Sequence, residues 1–331
     1  MATIYDVAKK AGVSITTVSR VINNYPHVQE ETRQRVKQVL KELNFIPNSN
    51  ASSLVKKTTN TIAVIVPDIT NNFFTTLVRG VEDKANDNGF AVILGNTDEN
   101  RTKEQTYIQM FMERRVDGLI IDTVSSGVKN LKSIMKREIP LVLVDREING
   151  LQIAYVGSNN LQGAETLVDY LIKLGHRRIA MISGPPETSV YQQRMEGYQT
   201  ALRKAELPVD EQILLWGEKP NQETGQVLTQ SLLKLTPRPT AIFAANNFLA
   251  LGVFAVLQEK GLGVPRDISV VCFDANDNGA TLNPFFTTIS QPAYMMGQMA
   301  VELLLRQIKQ KEASATKIIL ESELIVRNST K

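Results

Sequence analysis

Side chains that could bind a small molecule follow several apolar runs of the sequence, each of which we predict to be a strand. They comprise carboxylates, amides, two arginines and a pair of phenylalanines. Carboxylates accept hydrogen bonds from sugar hydroxyls, arginine and amide groups donate to the hydroxyl oxygens, and aromatic rings cover the C–H faces of a sugar ring. The mixture predicts a site for a polyhydroxylated ligand. Its residues are Asn71, Phe73, Phe74, Asp122, Asp145, Arg146, Arg194, Asn246, Asp274 and Gln291.

Strands that alternate with amphipathic helices must position these residues. The strand-like runs are apolar throughout, which indicates parallel sheets covered by helices on both faces. About 270 residues exceed one open sheet, so we predict two lobes with a ligand cleft between them, at the carboxyl ends of the strands. Any single Asp or Asn there could instead cap a helix, but the ten together favour a binding site. The clearest predicted strands are Thr61–Val66, Phe90–Leu94, Asp117–Ile121, Ile139–Val144, Ile179–Ser183, Thr240–Ala244 and Ile268–Phe273.

The first sixty residues differ from the rest in charge. They hold nine Lys or Arg against four Asp or Glu, a net charge of +5 in a chain whose total is +3, so the remainder carries −2. A basic head on a slightly acidic body favours an anionic partner for the head. Helical spacing predicts three helices in this head. They are Ile4–Ala11, Ile15–Asn23 and Glu30–Leu43.

The first two of these helices have the pattern of a helix-turn-helix. Thr3 and Asp6 form a capping box, Ser14 caps the second helix, and Gly12 can adopt the positive φ that the turn requires. An exposed second helix of this kind enters the major groove of DNA. Spacing and charge agree, which disfavours a helical bundle with no DNA partner. The outward positions are Ile15, Thr16, Ser19, Arg20 and Asn23.

A polar segment follows the third helix, which Pro47 ends. Residues 48–57 are too few and too polar to form a stable isolated helix. Within them Leu54 is a large apolar side chain after a run of small polar residues, and Lys56 and Lys57 come next. Behind a DNA-binding head, such a leucine is typical of a wedge inserted at a minor-groove base step.

Three strings and this linker resemble a known family. IYDVAKKAGVSITTVSRVIN, YPHVQEETRQRV and LNFIPN resemble the LacI/GalR family of repressors, and the similarity continues through nearly the whole chain. The resemblance implies that the linker becomes a hinge helix when two subunits pair on an operator, with Leu54 intercalating. It also implies further DNA contacts. These are at Thr3, Tyr5, Ser14, Thr17, His27, Asn48 and Ala51.

The body resembles periplasmic sugar-binding proteins, above all the ribose-binding type. All ten proposed ligand residues match that pattern position by position. Gln29 departs from the repressor pattern, because a capping Ser is common there, and residues 49–53 lack the basic residue often present in the hinge. Lys219-Pro220 stands where relatives place an aromatic residue shortly after Trp216. These departures bear on the affinity of the hinge and on the floor of the pocket.

The predicted fold is a small all-α helix-turn-helix head joined to an α/β, two-lobed, periplasmic-binding-protein-like body with parallel sheets. The predicted divisions are residues 1–47 for the head, 48–60 for the hinge helix and linker, and 61–331 for the effector-binding and dimerisation body. Lobe one is expected at about 61–160 and 291–318, and lobe two at about 161–290 and 319–331.

Several other classes are disfavoured. The single Cys272 cannot form an internal disulfide, and no nucleophile elbow, phosphate loop or metal-ligand spacing occurs, so we expect no enzyme, cofactor or metal site. The sequence has no long apolar run and no signal peptide, which indicates a cytoplasmic protein with no membrane partner and disfavours an exported binding protein. Val301–Ile308 is amphipathic without an appended leucine heptad, which favours a homodimer.

Head, hinge and cleft on one chain predict a repressor that binds double-stranded operator DNA. The resemblance implies control of a carbohydrate-utilisation operon by a small sugar, a ribose-like pentose or a sugar acid, held between the lobes. A purine or a regulatory phosphoprotein, which other members of the family use, stays open as an alternative effector. Release from DNA by a sugar is favoured over corepression, although the sequence does not fix the sign of the coupling.

Overall fold

The computed structural model of the chain describes residues 2–45, 58–124, 131–148, 150–274, 285–310 and 315–331. The chain forms two compact units, Met1–Thr59 and Asn60–Lys331. The predicted hinge contacts at Asn48, Ala51 and Leu54 lie outside the described residues.

The first unit is a bundle of three helices around a small apolar core. The helices are α1 (Ile4–Ala11), α2 (Ile15–Ile22) and α3 (Glu30–Glu42). Thr3 and Asp6 form the predicted capping box, and Gly12 ends α1 with a φ of 66°. Gln29 precedes α3 without a side-chain cap. The core residues are Val7, Ala8, Ala11, Val18, Val21, Val36 and Val39.

The second unit contains two six-stranded sheets, and the first sheet is wholly parallel. Its order is β11-β5-β4-β3-β1-β2. Together with the helices that pack on it, this sheet is called the first lobe. Its strands are β1 (Thr61–Val66), β2 (Ala91–Asn96), β3 (Gly118–Ile121), β4 (Leu141–Val144), β5 (Ala154–Ser158) and β11 (Lys317–Leu320). Its helices are α4 (Asn72–Asp87), α5 (Arg101–Glu113), α6 (Lys132–Lys136) and α11 (Ala293–Gln310).

The second sheet has the corresponding order β12-β10-β9-β8-β6-β7, and only its edge strand β12 pairs antiparallel in the described residues. With its helices it forms the second lobe. Its strands are β6 (Ile179–Ser183), β7 (Leu214–Trp216), β8 (Ala241–Ala244), β9 (Ser269–Phe273), β10 (Thr287–Ser290) and β12 (Glu323–Ile325). Its helices are α7 (Asn160–Lys173), α8 (Ser189–Lys204), α9 (Gln222–Leu232) and α10 (Asn247–Glu259).

The central strands of both sheets are buried on both faces, as their continuous apolar runs predict. In the first lobe α4 and α11 pack on one face and α5 and α6 on the other. β11 ends at Leu320, so the chain passes between the sheets at residues 320–323, two residues later than the expected boundary at 318. A single strand-like run cannot reveal that its halves pair in different sheets. No helix of the described residues is long and apolar enough to cross a membrane.

Candidate ligand cleft and nucleic-acid interface

A cavity of about 250 Å³ lies between the two lobes, at the carboxyl ends of their strands. It brings together nine of the ten ligand residues that the sequence proposes. Those nine are Asn71, Phe73, Phe74, Asp145, Arg146, Arg194, Asn246, Asp274 and Gln291. The convergence follows from topology, because equivalent strands of two similar parallel sheets end at this one cleft.

Asp122 is the exception, since it lies behind the cavity wall rather than in it. The residue is fully buried, and Arg146 Nε stands 3.6 Å from its Oδ1. Neither carboxylate oxygen has a hydrogen-bond partner among the described residues. Burial raises the pKa of the Asp122 carboxyl well above its ordinary range, although the charge of Arg146 opposes the shift. Asp122 can therefore act on a ligand only through Arg146.

Glu99 is a cleft residue that the sequence prediction missed. Arg146 Nη1 donates to Glu99 Oε2 at 2.8 Å and Nη2 donates to Oε1 at 2.6 Å, a two-point ion pair inside the lining. Glu99 follows β2, which ends at Asn96 rather than at the predicted Leu94. The same strand-end argument would have found Glu99 had β2 been placed correctly.

Arg194 reaches the cleft from α8 and is held mainly by uncharged acceptors. Its Nε donates to Asn160 Oδ1 at 2.8 Å and its Nη1 to the Ala245 carbonyl at 2.5 Å. The guanidinium lies 3.9 Å from the centroid of the Phe273 ring, and its Nη2 is 4.0 Å from Asp274 Oδ2. Stacking and hydrogen bonding together fix this arginine before any ligand arrives.

Asp145 and Asp274 occupy equivalent places in the two lobes. They directly follow β4 and β9, and both have a φ of 57°. Such left-handed backbone is uncommon outside glycine and tends to occur at functional sites. Tyr155 holds the first by donating its hydroxyl proton to the Asp145 carbonyl at 2.7 Å. Gln291 Nε2 holds the second by donating to Asp274 Oδ2 at 2.5 Å.

Both carboxyl groups hold their protons more tightly than an exposed aspartate. Burial raises the pKa of Asp274 to about 6, against the opposing charge of Arg194. Burial also raises the pKa of Asp145, opposed by the charges of Arg194 and Arg146. Asp145 Oδ1 has no hydrogen-bond partner in the described part of the chain. That oxygen can therefore accept a hydrogen bond from a ligand hydroxyl.

Two of the amides line the cleft and cap helices at once. Asn71 Oδ1 accepts from the Phe73 amide at 3.1 Å and begins α4. Asn246 Oδ1 accepts from the Leu249 amide at 2.8 Å, while its Nδ2 donates to the Pro220 carbonyl at 2.9 Å. The capping interpretation and the ligand interpretation are thus compatible, because the cap is what places the amide at the strand end.

Apolar and further polar side chains complete the lining. Phe73 and Phe74 meet edge to face with centroids 5.1 Å apart. The Lys219-Pro220 pair lines the cavity at the position where the sequence departs from the ribose-binding pattern. Lining residues outside the predicted set are Asp68, Asp98, Glu99, Val190, Tyr191, Lys219, Pro220, Asn221 and Phe248. No cluster of metal-ligating side chains occurs among the residues that the structure describes.

In the head, the predicted DNA contacts fall on and beside α2. Ser14 Oγ accepts from the Thr17 amide at 3.1 Å and caps the helix. Asn23 Nδ2 donates to the Ser19 carbonyl at 2.8 Å near the other end. The exposed predicted residues are Thr3, Tyr5, Ser14, Ile15, Thr16, Arg20 and His27, while Thr17, Ser19 and Asn23 are half-buried. A helix with this exposed polar face and a basic surrounding surface has the properties of a major-groove reader.

A helix-turn-helix head and a two-lobed α/β ligand body define a ligand-responsive gene regulator. Residues 3–48 match the model of bacterial regulatory proteins of the lacI family, and residues 168–330 match the periplasmic binding protein-like domain. The chain belongs to the LacI family, and it is a DNA-binding transcriptional repressor rather than an enzyme.

Relatives of known name cover the whole chain. The chain is 36% identical to the transcriptional repressor PurR of Vibrio atlanticus (strain LGP32), over 100% of this chain and 99% of that protein. It is 37% identical to the ribose operon repressor of Halalkalibacterium halodurans, over 100% and 98% respectively. The lac repressor dimer bound to operator and the anti-inducer ONPF superposes with a TM-score of 0.85, at 28% identity and 99% coverage of both chains. These relatives establish the family. The effector of this chain has to be inferred from the residues of its own cleft.

Proposed function

We propose that a small hydroxylated molecule, held between the two lobes, controls the affinity of this repressor for operator DNA that regulates a carbohydrate-utilisation operon. The observation that carries the proposal is the lining of the cleft. Arg146 and Asp145 come from the first lobe, and Arg194, Asn246 and Asp274 come from the second. A ligand that bonds to both sets stabilises one arrangement of the lobes over another.

The size and polarity of the cavity support a monosaccharide. At about 250 Å³ it lies just below the roughly 300–1,000 Å³ range of small-molecule pockets, which favours a ligand as small as a monosaccharide. Its lining includes both donors and acceptors, as a sugar ring with several hydroxyls requires. Phe73, Phe74 and Phe248 supply aromatic surface for the C–H faces of the ring. The named relatives include both a ribose operon repressor and several repressors called PurR, so the choice of a monosaccharide rests on the cleft itself.

DNA recognition in this proposal is carried by α2 of two subunits in a homodimer. Arg20 binds a guanine edge or a phosphate, while Ile15 and Thr16 contact base edges in the major groove. The hinge with Leu54, which lies outside the described residues, would pair in the minor groove. The cytoplasm is the compartment in which such a regulator meets DNA.

Calorimetry and operator binding together test the proposal. The full-length protein is titrated with ribose, other pentoses and hexoses, their acids, and purines. Each ligand that binds is then added at saturation to an operator-binding measurement by fluorescence anisotropy. We expect a sugar to bind and to change operator affinity by a factor of roughly 5–150. A sugar that binds the body but leaves operator affinity unchanged, or binding by purines alone, would contradict the proposal.

A further inference from the structure

We infer that Glu99 makes the cleft selective for uncharged sugars over analogues that carry a carboxylate. The inference rests on the proposed function, because it concerns the ligand of the same cleft. Arginine is the residue that binds carboxylates most specifically, since its planar fork donates two parallel hydrogen bonds. A cleft with two arginines should therefore bind a sugar acid well, unless acceptors of the protein already engage the guanidinium groups.

The fork of Arg146 is occupied by Glu99. Both terminal nitrogens donate to the two Glu99 oxygens, at 2.8 and 2.6 Å. The remaining nitrogen, Nε, faces Asp122 at 3.6 Å. The Arg146 side chain is 7% exposed and Glu99 is 25% exposed, so water screens this pair only partly. Glu99 thus takes one proton of each terminal nitrogen, which is the end-on two-point face of Arg146, whereas Nε has no hydrogen-bond partner among the described residues. A ligand carboxylate cannot bind that end-on face without displacing Glu99.

Arg194 is partly engaged, and mainly by uncharged acceptors. Its Nε and Nη1 donate to Asn160 and to the Ala245 carbonyl, and Nη2 faces Asp274. Lys219 also lines the cavity, but it is exposed and offers a hydrated point charge in place of a planar fork. A ligand carboxylate at Arg194 would have to share the guanidinium with Asn160 and the Ala245 carbonyl, and it would meet the Asp274 carboxylate beside Nη2.

The lining of the cleft carries more acidic than basic residues, so its net charge is negative, like that of a sugar acid. The basic residues of the lining are Arg146, Arg194 and Lys219. The acidic ones are Asp68, Asp98, Glu99, Asp145 and Asp274. A surplus of carboxylates repels an anion, whereas a hydroxyl can donate to the partnerless Asp145 Oδ1. Glu99 adds to this surplus of carboxylates, and it also accepts hydrogen bonds from both terminal nitrogens of Arg146.

The test compares neutral sugars with their own acids on the full-length protein. Ribose, glucose and galactose are each paired with the corresponding aldonate or uronate, and dissociation constants are measured by calorimetry at pH 7.5. We expect the wild-type protein to bind one of the neutral sugars, and to bind its acid at least roughly tenfold more weakly. In Glu99→Gln this preference should shrink by roughly tenfold or more, mainly because the acid binds more tightly.

Glu187→Gln is the matched control. Glu187 also pairs with an arginine, Arg101, at 3.3 Å, but neither residue lines the cavity. The same chemical change there should leave the preference for the neutral sugar intact. Glu99→Asp, which keeps the charge, should also keep most of the preference. It provides the decisive comparison if thermal melting shows that Glu99→Gln does not fold.

The outcomes separate this inference from the function on which it rests. Wild-type protein that binds an acid as tightly as its neutral sugar, or a preference unchanged by Glu99→Gln, overturns the selectivity and leaves the proposed function standing. Loss of the preference in Glu99→Asp overturns it too. If neither neutral nor acidic sugars bind the wild-type protein, the proposed function fails and the inference fails with it.

Discussion

The helix α2 and the interlobe cleft both present polar side chains to a ligand, yet they hold those side chains in opposite ways. On α2 the groups are exposed, as at Thr16 and Arg20, and the apolar core of the head lies beneath them. In the cleft the groups are buried, and the Arg194 side chain is only 4% exposed. A buried polar group must be satisfied by its own fold, whereas an exposed one is satisfied by water.

This difference predicts how each region responds to substitution. Changes on α2 should alter DNA binding and leave stability almost unchanged. Changes in the cleft should alter stability and ligand binding together, because the same hydrogen bonds serve both. Four substitutions test this contrast, beginning with the one whose effect should be greatest.

Replacing Arg194 should produce the largest effect. Arg194→Met leaves the Ala245 carbonyl and Asn160 without their donor and Asp274 without its cation. Loss of one partner of a buried ionic network reduces the free energy of unfolding by about 3–5 kcal/mol. Urea unfolding, followed through the fluorescence of Trp216 in β7, measures this loss on the full chain.

Arg79→Met serves as the control for that experiment. Arg79 pairs with Asp83 on the surface of α4, with 69% of the arginine side chain exposed. Exposed pairs of this kind contribute at most about 1 kcal/mol. Equal losses in the two variants would show that the cleft arginine is not held by buried bonds.

Replacing Asp274 should give the second-largest change in the free energy of unfolding, and this change depends on pH. Because burial raises its pKa to about 6, the folded state holds the proton more tightly than the unfolded state does. The free energy of unfolding should therefore fall by about 3 kcal/mol as pH rises from about 4 to 6, through this one group. Asp274→Asn should remove that part of the pH profile and be more stable than the wild-type protein at pH 8. A wild-type and variant difference that is independent of pH would contradict the assignment.

Replacing Arg20 tests whether an exposed residue of α2 affects DNA binding without affecting stability. Arg20→Ala should weaken operator binding by about 1–3 kcal/mol, because a contact to a base edge or phosphate is lost. The head should change in stability by less than about 0.5 kcal/mol, as measured by hydrogen exchange of its helical amides. Lys37→Ala, a change at an exposed basic residue of α3, should affect operator affinity less. Equal effects of the two substitutions would show that the head binds through net charge alone.

Ser14 should show the smallest effect and the one exception on α2. Ser14 Oγ caps the helix by accepting from the Thr17 amide, so Ser14→Ala should destabilise the head by about 1 kcal/mol. Thr16→Ala, on the same exposed turn, has no cap to lose and should leave stability unchanged. Hydrogen exchange of the α2 amides distinguishes the two. Equal protection in both variants would mean that the cap is not formed in solution.

The contrast also explains what the sequence could reveal. The head was predictable down to its caps because Thr3, Gly12 and Ser14 act on neighbours a few residues away. The cleft was predictable as far as strand ends could be placed. Glu99 was missed because β2 continues two residues beyond the predicted end, and a short strand gives little periodicity from which to find its limit.

Residue types in the sequence could not show which strand-end side chains line the cleft and which are buried away from it. Asp122 follows β3 just as Asp145 follows β4, and the sequence places both in the cleft. The structure puts Asp122 behind Arg146, fully buried, and Asp145 in the lining. Which of two strand-end carboxylates meets the ligand depends on the packing of residues distant in the chain. β5, β7 and β10 were missing from the clearest predicted strands because none of them is a continuous aliphatic run: β5 ends in Gly and Ser, β10 is mostly Thr and Ser, and β7 has only three residues.

If a ligand in the cleft and DNA on the head are thermodynamically coupled, the coupling must be reciprocal. The dissociation constant of the bound sugar is measured on the full-length protein, first without DNA and then with saturating operator. We expect operator to change sugar affinity by the same factor by which the sugar changes operator affinity. A sugar affinity that is identical with and without operator would contradict it.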